Sequence, residues 1–253
     1  MMKKIIYSVL FFCLIGNSTA QQTPADQQTT AYSIEGATAH LGNGEVIENS
    51  LLIFNEGKIT FVGSAMATTA RLGSVINAKG KHVYPGFIAA NTTLGLVEID
   101  AVKATNDQDE IGIMNPHIRS LIAYNAESKV VESMRPNGVL MAQITPRGGA
   151  LSGTSSVVQL DAWNWEDAAI KTDDGIHMNW PSSFTSGKWW LGEDPALKPD
   201  VKYAENVGEI KAYFSNAKNY LASNKEKTHL PYQATEGLFD GSKRFFIHVS
   251  GQK

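Results

Sequence analysis

The sequence predicts an α/β fold, in which a small all-β unit is followed by helix–strand units of a parallel sheet or barrel. Three observations carry that prediction. Two β-rich runs, Ser50-Leu51-Leu52-Ile53-Phe54 and Lys58-Ile59-Thr60-Phe61-Val62, flank Asn55-Glu56-Gly57, which is a hairpin pattern. A helical stretch over 127–134 stops at Arg135-Pro136-Asn137-Gly138 and leads into the apolar run from Val139 to Ile144. Finally, Pro85-Gly86 punctuates the chain just ahead of a strand-length run that begins at Phe87 and Ile88.

Composition sets the frame. The 253 residues are 43% hydrophobic and 19% charged, with a formal net charge of −3. That is ordinary globular composition for one or two domains. The mild negative charge points away from nucleic acid and from an anionic membrane as partners. At the N-terminus, Lys3 and Lys4 precede an apolar stretch over 5–15, which is too short for an ordinary transmembrane helix. Ser18-Thr19-Ala20 is a small-x-small cleavage pattern, so residues 1–20 are predicted to be a signal peptide and Gln21 to start the mature chain. The expectation is an exported protein, periplasmic or secreted, with no membrane contact beyond that peptide. The single cysteine, Cys13, lies inside the peptide, which leaves a mature chain without disulfides or thiol chemistry.

Taken in order, 21–30 is polar and Gln/Thr-rich and is expected to be a flexible lead-in. The β unit occupies 31–81, with a strand near Tyr32, the hairpin, and a short strand at Val75-Ile76-Asn77. After the run at Phe87, the segment 97–115 is charged and irregular. Its Asp107, Asp109 and Glu110 lack the spacing of a calcium loop and are expected to be solvated. Asn125 is the expected N-cap of the 127–134 helix. Arg147-Gly148-Gly149-Ala150-Leu151-Ser152-Gly153-Thr154-Ser155-Ser156 is the one Gly-rich loop that could cradle an anion. It lacks the lysine of a phosphate loop and runs into the strand-like Val157-Val158-Gln159-Leu160. All five tryptophans fall within 161–200. Trp163 and Trp165 are candidate ligand-binding residues, although such clusters also pack local subdomains. Val207, Ile210, Phe214, Ala217 and Leu221 form one apolar face of a helix over 205–224. The run 243–249 is a further strand ending near His248.

The motifs together resemble the amidohydrolase superfamily, in the branch containing imidazolonepropionase and prolidase-like enzymes. The N-terminal signature is carried by Ile34, Gly36-Ala37-Thr38, Gly42, Gly44, Ile47, Asn49, Leu52 and Gly57-Lys58-Ile59. The first barrel strand is carried by Tyr84-Pro85-Gly86-Phe87-Ile88, and the Gly-rich loop at 147–156 with the strand-like run after it looks like the scaffold feature that follows the second barrel strand in that branch. The resemblance implies a partial TIM-type (β/α) barrel of about three strands over 82–253, preceded by part of a small N-terminal β-sandwich domain. A closed barrel takes about 250 residues by itself, so the barrel is expected to be incomplete. The chain would then be a fragment, a truncated product or one part of a longer product.

Function follows the same resemblance. The family's reaction is metal-assisted hydrolysis of C–N bonds in cyclic amides, amides or peptide-like substrates, with zinc or another divalent metal activating water. Its first-strand His-x-His pair falls on Asn91 and Thr93 here. On a strand these would share one face, but an amide and a hydroxyl are poor zinc ligands beside imidazole. Phe246-Ile247-His248 matches the strand that carries a further family histidine, which makes His248 the candidate metal ligand. No catalytic residue is assigned. Two readings stand: a metal-dependent hydrolase, degenerate or truncated in this chain, and a non-catalytic ligand-binding or assembly module on the same scaffold. The partners implied are a small-molecule or peptide-like substrate and a second chain that completes the barrel.

Overall fold

The computed structural model describes residues 23–224 and 227–249. The stretch 1–20, expected from the sequence to be a signal peptide, lies outside the described residues. No helix among the described residues is long and apolar enough to cross a membrane.

The N-terminal unit is a single five-stranded sheet. β1 (Tyr32–His40), β2 (Val46–Asn55) and β3 (Lys58–Ser64) form an antiparallel meander, and β4 (Ser74–Asn77) and β5 (His82–Val83) pair β1 in parallel. The hairpin expected around Asn55-Glu56-Gly57 joins β2 to β3, with Glu56 at φ 51° and Gly57 at φ 70° in the turn. Ala37, Ala39, Leu51 and Ile53 are buried on its inner face. Only this one layer of a sandwich is present among the described residues. The lead-in from Thr23 has no regular structure, yet it is fastened. The Gln28 amide accepts from Gly57 N–H at 2.9 Å and donates to Phe54 O at 3.2 Å, and Ala25 N–H donates to Asp161 at 3.2 Å.

The second sheet has the order β12-β9-β8-β7-β6: β12 (Arg244–His248), β9 (Ala169–Asn179), β8 (Leu151–Gln159), β7 (Val139–Ile144) and β6 (Phe87–Thr92). β6 is parallel to β7 and β9 to β12, while β8 is antiparallel to both of its neighbours. The strand-like run expected at 157–160 is the end of β8, while β9 is a strand that the sequence did not suggest. The strand at 244–248 does not follow β7 in the sheet, because β8 and β9 lie between them. β9 sits inside the Trp-rich window, where its Asp173, Asp174 and His177 hid the apolar pattern of a strand. A two-stranded ribbon, β10 (Phe184–Ser186) with β11 (Leu197–Pro199), fills the rest of that window.

Alternation along the strands divides the sheet into two faces. Ala142 and Ile144 of β7, Val158 of β8, and Ile176 and Met178 of β9 turn outward into two apolar clusters. The first is closed by Leu121, Tyr124 and Val131, the last on α1 (Lys129–Met134). The second is closed by Ile210 of α3 (Tyr203–Ala222), whose Phe214 also meets the Phe245 ring at 5.6 Å. Burying each such large aliphatic side chain is worth roughly 1.5–3 kcal/mol. The opposite face carries Gln143, Ser155, His177, Phe246 and His248. Helix α1 is capped by Ser128 rather than the expected Asn125: its hydroxyl accepts from Val130 N–H at 3.2 Å and Val131 N–H at 3.5 Å. The helix then passes into a 3₁₀ turn, Arg135–Asn137, that ends at Gly138. Gly138 sits at φ 84°, a conformation that a residue with a Cβ adopts at a cost, and this redirects the chain into β7.

Candidate functional site

The strand directions bring the C-terminal ends of β6, β7, β9 and β12 to one end of the sheet, together with the start of β8. Barrel chemistry is built at that end. Here it is polar and knitted by hydrogen bonds.

Its centre is a pair of histidines from adjacent parallel strands. His177 Nδ1 lies 2.9 Å from His248 Nε2, and His177 Nε2 lies 2.8 Å from Ser155 Oγ. The two imidazoles stack with centroids 5.1 Å apart, and Phe246 stacks on His177 at 4.6 Å. His177 is fully buried. Burial, then the neighbouring His248 and the Arg147 cation, push its pKa down to about 4, against a smaller upward pull from Asp174. Burial and Arg147 likewise hold His248 below the ordinary imidazole range. Both rings are therefore neutral near pH 7. Ser155 is fully buried and also donates toward Gly175 O at 3.3 Å, so it is a structural hydroxyl and out of reach as a nucleophile.

Beside the pair, Arg147 reaches across from the β7–β8 loop to β6. One guanidinium nitrogen donates to Asn91 Oδ1 at 2.6 Å and another to Asn91 O at 2.7 Å. Asn91 is at φ 52°, a left-handed conformation that asparagine tolerates better than most residues, and its N–H is held by Gln143 Oε1 at 3.2 Å. The loop is fastened on its other side too, since Asn179 Nδ2 of β9 donates to Gly149 O at 2.9 Å and to Ser152 Oγ at 3.1 Å. Below it, Gln143 Nε2 donates to the buried Asp174 at 2.9 Å. Burial pushes the Asp174 pKa up, but hydrogen bonds from Lys171 and Gln143 and the charges of Lys171 and Arg244 outweigh it and hold the carboxyl low.

The residues anticipated from sequence are distributed unevenly. His248 is at this centre. Asn91 is too, but as a partner of Arg147. Thr93 does not share a strand face with it, because β6 ends at Thr92 and the left-handed turn at Asn91 breaks the alternation. Trp163 and Trp165 are at the opposite end of the sheet, beyond the end of β8. Trp165 opens α2 (Trp165–Ala168), capped by Asn164, and packs on the first apolar cluster. Trp163 edges a recess of about 30 Å³, room for little more than a water. The tryptophan at the strand ends is Trp180. With Met114, Ile210, Pro181 and Asn179 it lines a cleft of about 290 Å³ between β9 and α3. His177 was not anticipated, because its partner is 71 residues away and no local spacing marks the pair.

A divalent metal of the kind the resemblance implies does not fit these residues. Both nitrogens of His177 and Nε2 of His248 are already hydrogen-bonded, Asn91 Oδ1 is taken by Arg147, and a fixed cation stands beside them. Among the described residues, no three His, Cys, Asp or Glu side chains group closely enough to hold an ion. Structural zinc takes four ligands and catalytic zinc three from the protein.

No known family profile matches the chain, and no curated protein matches it. A solved structure does. An amidohydrolase from Thermotoga maritima MSB8 aligns with a TM-score of 0.70 at 20% sequence identity, over 86% of this chain and 57% of that one. This chain thus spans somewhat over half the length of that structure. At this identity the likeness speaks to architecture, and the fold of this chain is amidohydrolase-like.

Proposed function

We propose that this chain is an exported ligand-binding module on an amidohydrolase-like scaffold, in which a hydrogen-bonded network stands where the family would place its metal. The observation that carries this reading is the commitment of the donor atoms: His177 to Ser155 and His248, and Asn91 to Arg147. The strand-end cleft beside Trp180 offers apolar walls with a few polar groups, the usual make-up of a small-molecule site. Export rests on Lys3, Lys4, the apolar stretch after them and Ser18-Thr19-Ala20.

A second reading keeps the enzyme. In it, a metal-dependent hydrolase of amide-type C–N bonds is completed by a second chain that supplies the missing ligands. The open sheet edges favour it: β6 pairs only with β7 and β12 only with β9 among the described residues, with Phe87 and Ile247 exposed.

Elemental mass spectrometry on the purified protein from Gln21 onward, compared with His248→Ala, tests the two. The module reading expects no metal above background in either. Near-stoichiometric zinc that is lost in the variant would overturn it in favour of the hydrolase.

A further inference from the structure

The guanidinium of Arg147 is held, half-buried and without a counter-ion. Its two hydrogen bonds among the described residues go to the neutral oxygens of Asn91, and no carboxylate of those residues pairs with it. Arginine carries five N–H donors, so three have no hydrogen-bond partner among the described residues. A desolvated cation without an anion is costly, and burial holds its pKa below the usual arginine value. The next two residues add to this. Gly148 (φ 79°) and Gly149 (φ 58°) are both left-handed and exposed, and neither N–H has a hydrogen-bond partner among the described residues. Successive free amides in such turns form concavities that favour anions. A Cβ at Gly149 would come within 2.8 Å of Ile113 O, so the loop takes this shape only with glycine there. The nearest acid on the loop's outer side, Asp109, is already paired with Lys103 at 3.1 Å. Asp174, behind the histidines, is neutralised by Lys171 and Arg244.

We infer that Arg147, with the Gly148–Gly149 backbone beside it, is an oxyanion site that takes the carboxylate or phosphate of a small ligand at the strand ends. Asn91 acts as the positioning residue, since its two oxygens fix the guanidinium plane. This inference rests on the ligand-binding reading above and gives that ligand its charged end. The apolar cleft at Trp180 shares Gly149 with the loop and would take the ligand's uncharged part.

The test uses succinate and inorganic phosphate as probes, titrated by calorimetry into protein whose metal content has been measured. The amide resonances of Gly148 and Gly149 are followed by NMR. Saturable binding of at least one probe is expected, with both glycine amides shifting. Affinity should drop at least tenfold in Arg147→Met, drop less in Arg147→Lys, and weaken at high salt. Succinate alone binding would mark a carboxylate ligand, and phosphate alone a phosphate ligand. Arg147→Lys keeps the charge and serves if the Met variant fails to fold. The inference is overturned if neither probe binds, if Arg147→Met and Arg147→Lys both bind as the parent does, or if binding leaves the glycine amides unmoved. Stoichiometric metal in the same sample would instead overturn the module reading and leave the anion result readable.

Discussion

His177 Nδ1 and His248 Nε2 face each other at 2.9 Å across two parallel strands, with Ser155 Oγ at 2.8 Å on the far side of His177. A neutral imidazole has one donor and one acceptor nitrogen. With the Ser155 hydroxyl proton directed at Gly175 O, one arrangement satisfies the chain: His177 Nε2–H donates to Ser155 Oγ, and His248 Nε2–H donates to His177 Nδ1. His177 then has no nitrogen left, and a charge on it would turn Nδ1, the acceptor facing His248, into a second donor.

That relationship sets a pH dependence. The His177 pKa falls from 6.5 to about 4 on folding, with burial as the largest cause. The unfolded chain therefore binds a proton at a higher pH than the folded one. The stabilisation is present in full above pH 6.5 and is lost as pH falls through the interval down to about 4. A shift of this size corresponds to a few kcal/mol, on the order of 3. Thermal melts from pH 7.5 downward should fall more steeply in the parent than in His177→Asn. Parallel curves would refute the assignment.

Asp174 predicts a different effect. Its carboxylate is buried, accepts from Gln143 at 2.9 Å and pairs with Lys171 at 2.6 Å and Arg244 at 3.0 Å. Both cations are more than half exposed and can rehydrate when the acid is removed. The buried Gln143 amide cannot. Asp174→Ala should then destabilise by about 1–3 kcal/mol, the cost of orphaning a buried donor, and Gln143→Leu in the same background should recover part of it. Denaturant titrations of the single and double variants measure both.

Much of this architecture was legible because local chemistry and packing agree there. The hairpin at Glu56-Gly57, the amphipathic face of Ile210 and Ala217, and the strand from Val139 follow from turn residues and periodicity. β9 was not legible. It buries Ile176 and Met178 on one face and presents Asp174 and His177 to a polar network, so it carries no simple alternation. The site was half legible. His248 lay on a recognisable strand and the Arg147 loop was visible as glycine-rich. The pairing of Arg147 with Asn91 and of His177 with His248 depends on strand order, which residue spacing does not encode. The cap moved from Asn125 to Ser128 for a related reason. Asn125 closes the preceding turn instead, accepting from Glu127 N–H at 3.0 Å.

That cap yields a compact test. Ser128 is buried and its hydroxyl takes two orphan donors of α1, whose Val131 plugs the first apolar cluster. Ser128→Ala should cost about 1 kcal/mol and Ser128→Asp much less. Asn125→Ala should disturb the turn only. Equal losses for the Ser128→Ala and Asn125→Ala variants, read from chemical denaturation, would return the cap to Asn125.

The sheet edges make the last prediction. β6 and β12 each leave one side unpaired among the described residues, and their apolar side chains are open to solvent: Phe87 at 64%, Ile88 at 58% and Ile247 at 50% exposed. Unpaired parallel edges flanked by such residues template association. Sedimentation velocity should therefore find mass rising with protein concentration. A charge on the outward face of β12 is the natural gatekeeper, so Ile247→Lys should shift the distribution toward monomer. Because Ile247 turns away from the face that carries His177 and His248, the Gly148 and Gly149 amides should respond to the anion probes in that variant as they do in the parent. Concentration-independent mass in the parent would mean that these edges do not pair in solution. Loss of the anion response in Ile247→Lys would mean instead that the strand ends are built only in the associated form.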